Sequence, residues 1–207
     1  MKRFKNVLTL LLLIFACLLN LTGCGETQNA EKTVSGMFEA FKSLEFEKAK
    51  TYVDYNEFKI SDNKDSITGD IDLLMKNLFN KLDYKIISSE KNDNKNVIVK
   101  TEITAIDMKP IMSEVFSNAL QIAFANALAS KDQQLSEEDT YKKIEEIFIQ
   151  SLSKPDLKTV TNTVDINVVK TKDGWKVNVD ETMTNALFGG LKTVINDMGK
   201  TFRQNIN

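Results

Sequence analysis

The stretch VTNTVDINVVKTKDGWKVNV, residues 160–179, decides the fold. Val164, Ile166 and Val168 alternate with Thr163, Asp165 and Asn167, the period of a strand with one apolar and one polar face. Lys172-Asp173-Gly174 then closes a hairpin, because Asp-Gly favours the positive-φ turn that matches strand twist. On the return strand Trp175, Val177 and Val179 point inward, and Lys176 and Asn178 outward. The same period runs upstream. Val97, Val99, Thr101, Ile103 and Ala105 alternate with Ile98, Lys100, Glu102, Thr104 and Ile106, a long strand whose two faces are hard to rank. Tyr84–Glu90 supplies its partner strand, and the polar run from Lys91 to Lys95 supplies the turn between them.

Outside these two hairpins the period is helical. Val34, Met37, Phe38 and Phe41 form one stripe of a helix over 33–41. A second helix follows, with Ser43 as its cap and Phe46, Ala49, Tyr52 and Val53 inward. Residues 55–67 are charged and turn-rich and read as a loop. Ile71, Leu74, Met75, Leu78, Phe79 and Leu82 give the cleanest helical spacing in the chain, over 70–81. Between the hairpins, Asp107 caps a helix with Pro110 in its first turn. Ser136 opens another, with Glu137, Glu138 and Asp139 at the positive end of its dipole and Pro155 beyond its end. A last helix covers 184–198, with Gly189-Gly190 inside it and Gly199 as its C-cap. That glycine pair marks either a break in the helix or a close approach by another backbone. The order is helices, two strands, a helical pair, two strands, helix. It predicts an α+β fold with an antiparallel sheet and helices on one face.

The N-terminus sets the location. Lys2, Arg3 and Lys5 precede an apolar run from Val7 to Leu19, followed by Leu21-Thr22-Gly23-Cys24. This is the layout of a secretory signal. Its last four residues resemble the bacterial lipobox, Leu-x-Gly-Cys. The resemblance implies that residues 1–23 are a lipoprotein signal peptide, and that Cys24 receives a diacylglyceryl thioether and becomes the first mature residue. Two other readings compete. An uncleaved membrane-spanning helix needs roughly 20 apolar residues, more than the run provides. An ordinary cleaved signal peptide needs an A-x-A-like end. With lipid on Cys24 the protein is anchored at the outer face of the cytoplasmic membrane, as in a Gram-positive bacterium. Residues 24–30 then form a short tether, which fully extended from Gly25 to Ala30 spans only about 20 Å. Residues 31–207 form one domain, with 108–154 as a helical insertion.

Composition removes several function classes. The chain has 207 residues and no histidine, and Cys17 and Cys24 are its two cysteines. Cys17 falls in the signal, so an internal disulfide is ruled out and the domain must be held by its own core. Without histidine there are no zinc sites built on His and no Ser-His-Asp or Cys-His hydrolase. From 27 Lys and Arg against 29 Asp and Glu, the loss of Lys2, Arg3 and Lys5 leaves 24 against 29, a net charge of −5. That acidic balance argues against nucleic acid as a partner. No cofactor is expected.

Two further motifs carry a family resemblance. Phe38-Glu39-Ala40-Phe41-Lys42-Ser43-Leu44-Glu45-Phe46-Glu47-Lys48-Ala49 is similar to the opening of many small bacterial lipoproteins of unknown function. Asp173-Gly174-Trp175-Lys176-Val177 resembles the hairpin near the end of the same proteins. Such domains belong to the nuclear-transport-factor-2-like, cystatin-like group. The resemblance implies a bent sheet wrapped around a helix, forming a cone with a cavity. It supplies no catalytic motif.

The candidate chemistry is sparse. Asp62-Asn63-Lys64-Asp65 and Asp93-Asn94 lack the glycine and closing glutamate of a calcium loop and read as solvated turns, so no metal ligand is assigned. Tyr52, Tyr55, Phe58, Tyr84 and Trp175 are candidates to line a pocket, with Trp175 otherwise in the core. A pair of Tyr84 with Asp83 or Asp107 could exchange protons without histidine. From Val115 to Ser130 there is no charge at all; that helix is either sandwiched in the domain or forms a face that meets a ligand or partner. The resulting expectation is a non-catalytic lipoprotein that binds a small molecule or a protein. The alternatives are an enzyme using a carboxylate and a tyrosine in the cone, and a structural subunit of a cell-envelope complex.

Overall fold

The computed structural model of the chain describes residues 24–54 and 71–206. The signal segment with Leu21, Thr22 and Gly23, the stretch with Tyr55, Phe58 and Asp62–Asp65, and the expected helix start at Asp70 lie outside the described residues. The elements run α1 (Cys24–Lys42), α2 (Phe46–Lys50), α3 (Ile71–Phe79), β1 (Asp83–Lys91), β2 (Asn96–Ile106), α4 (Met108–Leu128), α5 (Glu137–Leu152), β3 (Thr159–Thr171), β4 (Gly174–Asn178), α6 (Glu181–Leu187) and α7 (Leu191–Ile206). The fold is α+β. Its single described sheet is open and antiparallel throughout, in the order β1-β2-β3-β4.

Pairing settles which face of β2 is inner. Val97 lies opposite Val168, Val99 opposite Ile166 and Thr101 opposite Val164, while Val168 faces Val177 on β4. All of these are buried. Once three neighbouring strands put β-branched side chains on the same side, the register is fixed, since a one-residue slip would turn every one of them outward. A bulge between Ile86 and Ser88 leaves Ile87 as the extra residue of β1, exposed. The Asp173-Gly174 turn forms as expected, with Gly174 at φ 105°.

Helix α1 lies across the inner face and touches all four strands. Ala30, Val34, Met37 and Phe38 are completely buried there, in one core with the buried Phe79, Leu82, Ile103, Met183 and Leu187. It begins nine residues earlier than its apolar stripe predicts. Residues 25–30 are therefore the first turns of a helix and not an extended tether. They are held by Glu26, whose carboxylate meets the Lys91 ammonium at 2.6 Å and that of Lys170 at 3.7 Å. The hydrogen bond from Lys91 is the main reason the Glu26 carboxyl titrates below its usual value. At its other end α1 stops at Lys42, and Leu44, at φ 58°, reverses the chain. Glu45 rather than Ser43 occupies the N-cap of α2; its side chain makes no capping hydrogen bond and accepts instead from the Lys48 ammonium at 2.7 Å.

A second, smaller core lies where α4 and α5 join the sheet. Ile106, Met108, Ile111, Val115, Leu152 and Leu74 pack together at the end of the sheet where β2 runs into α4. Asp107 accepts from the Lys109 backbone N–H at 3.0 Å and Ser136 from that of Asp139 at 3.1 Å, so both predicted caps are in place. The last predicted helix is two. Gly189 and Gly190, at φ 54° and 81°, break it into α6 and α7. Gly199 caps nothing: α7 continues past it to Ile206.

Candidate functional site

A cavity of about 260 Å³ opens where the C-terminal end of α1 meets α2, α3 and α6. The path to it is set by Leu44. By reversing the chain there, it places Phe46 of α2 beside Phe41 of α1, with ring centroids 6.5 Å apart. Phe79 of α3 stacks on Phe41 at 5.6 Å and meets Phe46 at 6.0 Å. Phe188, just after α6, closes the set at 5.9 Å from Phe79. Such offset and tilted pairs hold rings in register beyond what area burial alone provides. Ala49, Val53, Met75, Val179, Met183 and Leu187 complete the apolar wall. The polar contributors are Lys50 and Thr184. Thr184 donates its hydroxyl proton to the Asp180 carbonyl at 2.8 Å, and Lys50 pairs with Glu47 one helical turn back. Among the described residues no carboxylate and no cysteine lines the cavity. Its chemistry is that of hydrocarbon and phenyl faces with one ammonium group, suited to holding an apolar body out of water.

The sequence-predicted residues fall elsewhere. Cys24 is the first residue of α1, and Phe41 follows 17 residues later on the same helix, about 26 Å away at 1.5 Å per residue. Tyr84 stacks on Phe38 at 4.8 Å. Burial pushes its phenol up, and its hydrogen-bonding partners are Ser35 and Glu39. It does not pair with the expected carboxylates. Asp83 instead binds the Lys42 ammonium at 3.1 Å, which holds its carboxyl below and the lysine above their usual values. Asp107 is engaged as the cap of α4. Trp175 packs against the main core with Lys170 over its ring at 5.7 Å, and Tyr52 lies against Gly36. None of these three aromatics lines the cavity. Among the described residues no acidic or cysteine cluster could hold a metal ion, and Asp93 closes its turn by accepting from the backbone N–H groups of Lys95 and Asn96.

The uncharged helix is not sandwiched. Its first half, through Val115, belongs to the second core, but Leu120, Phe124 and Leu128 reach 39%, 68% and 88% exposure. Together α4 and α5 form a hairpin whose far part stands clear of the sheet. No helix among the described residues is long and apolar enough to cross a membrane.

The cavity residues escaped sequence reading for a definite reason. Phe41, Phe79 and Leu187 lie on helical stripes that spell core, and a stripe does not say whether the space it faces is filled. The signal that was present is the clustering of four phenylalanines at the ends of separate helices.

No family model and no curated protein sequence matches the chain. Among solved structures it is similar to a crystal structure, at 2.62 Å resolution, of a candidate lipoprotein, ycdA, from Bacillus subtilis. The TM-score is 0.41 and the identity 13%, over 73% of this chain and 44% of that one, so the chain spans less than half the length of that structure.

Proposed function

We propose that this protein is a lipid-anchored, extracytoplasmic binding protein, tethered through a diacylglyceryl group on Cys24, that holds an apolar ligand and catalyses no reaction on it. The observation that carries the reading is the phenyl-walled cavity among α1, α2, α3 and α6. A concave, largely apolar space with a few polar groups is the usual form of a small-molecule site. Among the described residues its lining offers no carboxylate for proton transfer, which supports binding over turnover. The lipobox-like Leu21-Thr22-Gly23-Cys24 supports the anchor. The contact of α1 with all four strands supports the cystatin-like reading of the core. With the lipid at the first residue of α1 and the cavity at the other end of that helix, the ligand is taken up at a distance from the anchor point.

The test uses a chain begun at residue 24, which retains α1 and every element packed on it. N-Phenyl-1-naphthylamine, an uncharged apolar fluorophore, is expected to brighten on binding and to be excluded by Val179→Trp, which fills the cavity. Equal brightening in the two proteins, with both folded by circular dichroism, defeats the reading.

A second reading is favoured by the exposed stripe Leu120, Phe124 and Leu128 on α4. Large apolar groups rarely stand in water on a helix without charge over 16 residues, 115–130. The occupant proposed for that face is a second copy of the chain. A neutral face pairs with its own copy without stranding a charge, and it leaves Glu138, Lys142, Lys143 and Glu146 of α5 in water.

A further inference from the structure

The α4–α5 hairpin carries a hollow beside its apolar ridge, and the two together say how one copy meets another, an inference that rests on the second reading above. Leu120, Phe124 and Leu128 are spaced four apart and stand out of α4 as one exposed ridge. Next to that ridge on the same helix, Ala123 and Ala127 line an open groove of about 460 Å³, together with Leu135 and with Tyr141 of α5. The two alanines leave space that larger side chains would fill. A cavity of about 150 Å³ holds one benzene ring, so the groove has room for a phenylalanine ring with a leucine beside it. Three polar side chains of the lining are already bonded within the hairpin. Asn126 donates to the Leu135 carbonyl at 3.2 Å and accepts from its N–H at 2.6 Å, Thr140 donates to the Ser136 carbonyl at 2.8 Å, and Gln134 to that of Ala129 at 3.4 Å. An entering ring strands none of these three. Glu137, the acid of the lining, is exposed. The Asn126–Leu135 pair also fixes the connection between the helices, so the groove exists before a partner arrives. A face that holds both a projecting ring and a hollow fits a copy of itself across a two-fold axis, since each chain then gives one and receives one. Rows spaced four apart entering grooves spaced four apart is also the commonest way for two helices to pack.

We propose that the chain forms a two-fold dimer in which Phe124 of each copy enters the Ala123–Ala127 groove of the other. Two variants of the chain begun at residue 24 test it. Phe124→Ala removes the ring and leaves the groove open; Ala127→Trp fills the groove and leaves the ring. Both positions are exposed, so both variants are expected to keep the parent's circular dichroism. In sedimentation, each variant alone is expected to dimerise about 100-fold more weakly than the parent, because the contact is lost twice per dimer at about tenfold each. Mixed in equal amounts, the two are expected to pair with one another about tenfold more tightly than either pairs with itself, since the mixed dimer keeps one intact contact. Native mass spectrometry separates the three dimers by mass. If the parent dimerises but either variant dimerises as well as the parent, or if the mixture shows no preference for the mixed dimer, the ring-in-groove contact is overturned and the pairing of copies stands. If the parent sediments as a monomer, the face belongs to another occupant and both fall.

Discussion

At the scale of single residues, the tightest glycine site among the described residues is Gly189. Its φ of 54° is in the left-handed region, and a Cβ there would collide with the backbone carbonyl of Ile106. Its own carbonyl accepts from the Met108 N–H at 3.1 Å, so the α6–α7 corner is fastened to the point where β2 becomes α4. Neither backbone can withdraw without opening the second core. Gly190 has a similar φ, 81°, but open space around it. Gly189→Ala is therefore expected to cost about 3 kcal/mol or more, from the left-handed backbone plus overpacking, and Gly190→Ala only about 1–2 kcal/mol. Urea unfolding midpoints of the two variants check this; equal losses would mean that the Ile106 contact contributes nothing. The Gly-Gly pair was legible in the sequence as a break or a close approach. Both are realised, at different residues.

At the scale of elements, α4 is two helices in one. Its N-terminal half is a core helix, capped by Asp107 and buried through Ile111 and Val115. Its C-terminal half is an exposed apolar surface. The sequence shows both halves as apolar and cannot separate them, because the difference lies in where α3, α5 and α7 stop covering it. Val115→Glu is expected to destabilise the fold by about 3 kcal/mol or more, since it buries an unpaired carboxylate. Phe124→Glu is expected to change stability by no more than about 0.5 kcal/mol. Equilibrium unfolding measures both. Sedimentation of the same proteins tests the second reading: a parent dimer made monomeric by Phe124→Glu supports it, and a parent that sediments as a monomer removes it.

At the scale of the whole molecule, α1 acts as the axis. Glu26 binds it to the β1–β2 and β3–β4 turns at one end, and Lys42 to the start of β1 at the other. Cys24 and the cavity are thereby held at opposite ends of one rigid element. If Cys24 carries lipid, the domain stands on the bilayer with no extended tether between them, because residues 25–30 are helical. Cys24→Ser is expected to abolish labelling by a radioactive fatty acid and to leave the protein uncleaved or released. Unchanged labelling would refute the anchor.

Local chemistry was enough to specify the strands and the two helix starts at Asp107 and Ser136. Period-two alternation at 97–105 and 164–168, Asp-Gly at the hairpin, and the caps Asp107 and Ser136 act over a few residues and need no partner to be read. The α+β class was legible too, from the order of those periods. What only the tertiary structure decided lies where distant segments meet. The inner face of β2 was chosen by Val164, Ile166 and Val168 across the ladder, since its own two faces are nearly equal in apolarity. The length of α1 was extended by Glu26 reaching Lys91 and Lys170 on two separate hairpins. The cavity exists because the ends of four helices bring phenyl rings together without filling the space between them. Hydrophobic spacing tells a side chain to leave water; it is the packing of the other elements that determines whether it meets a neighbour or a void.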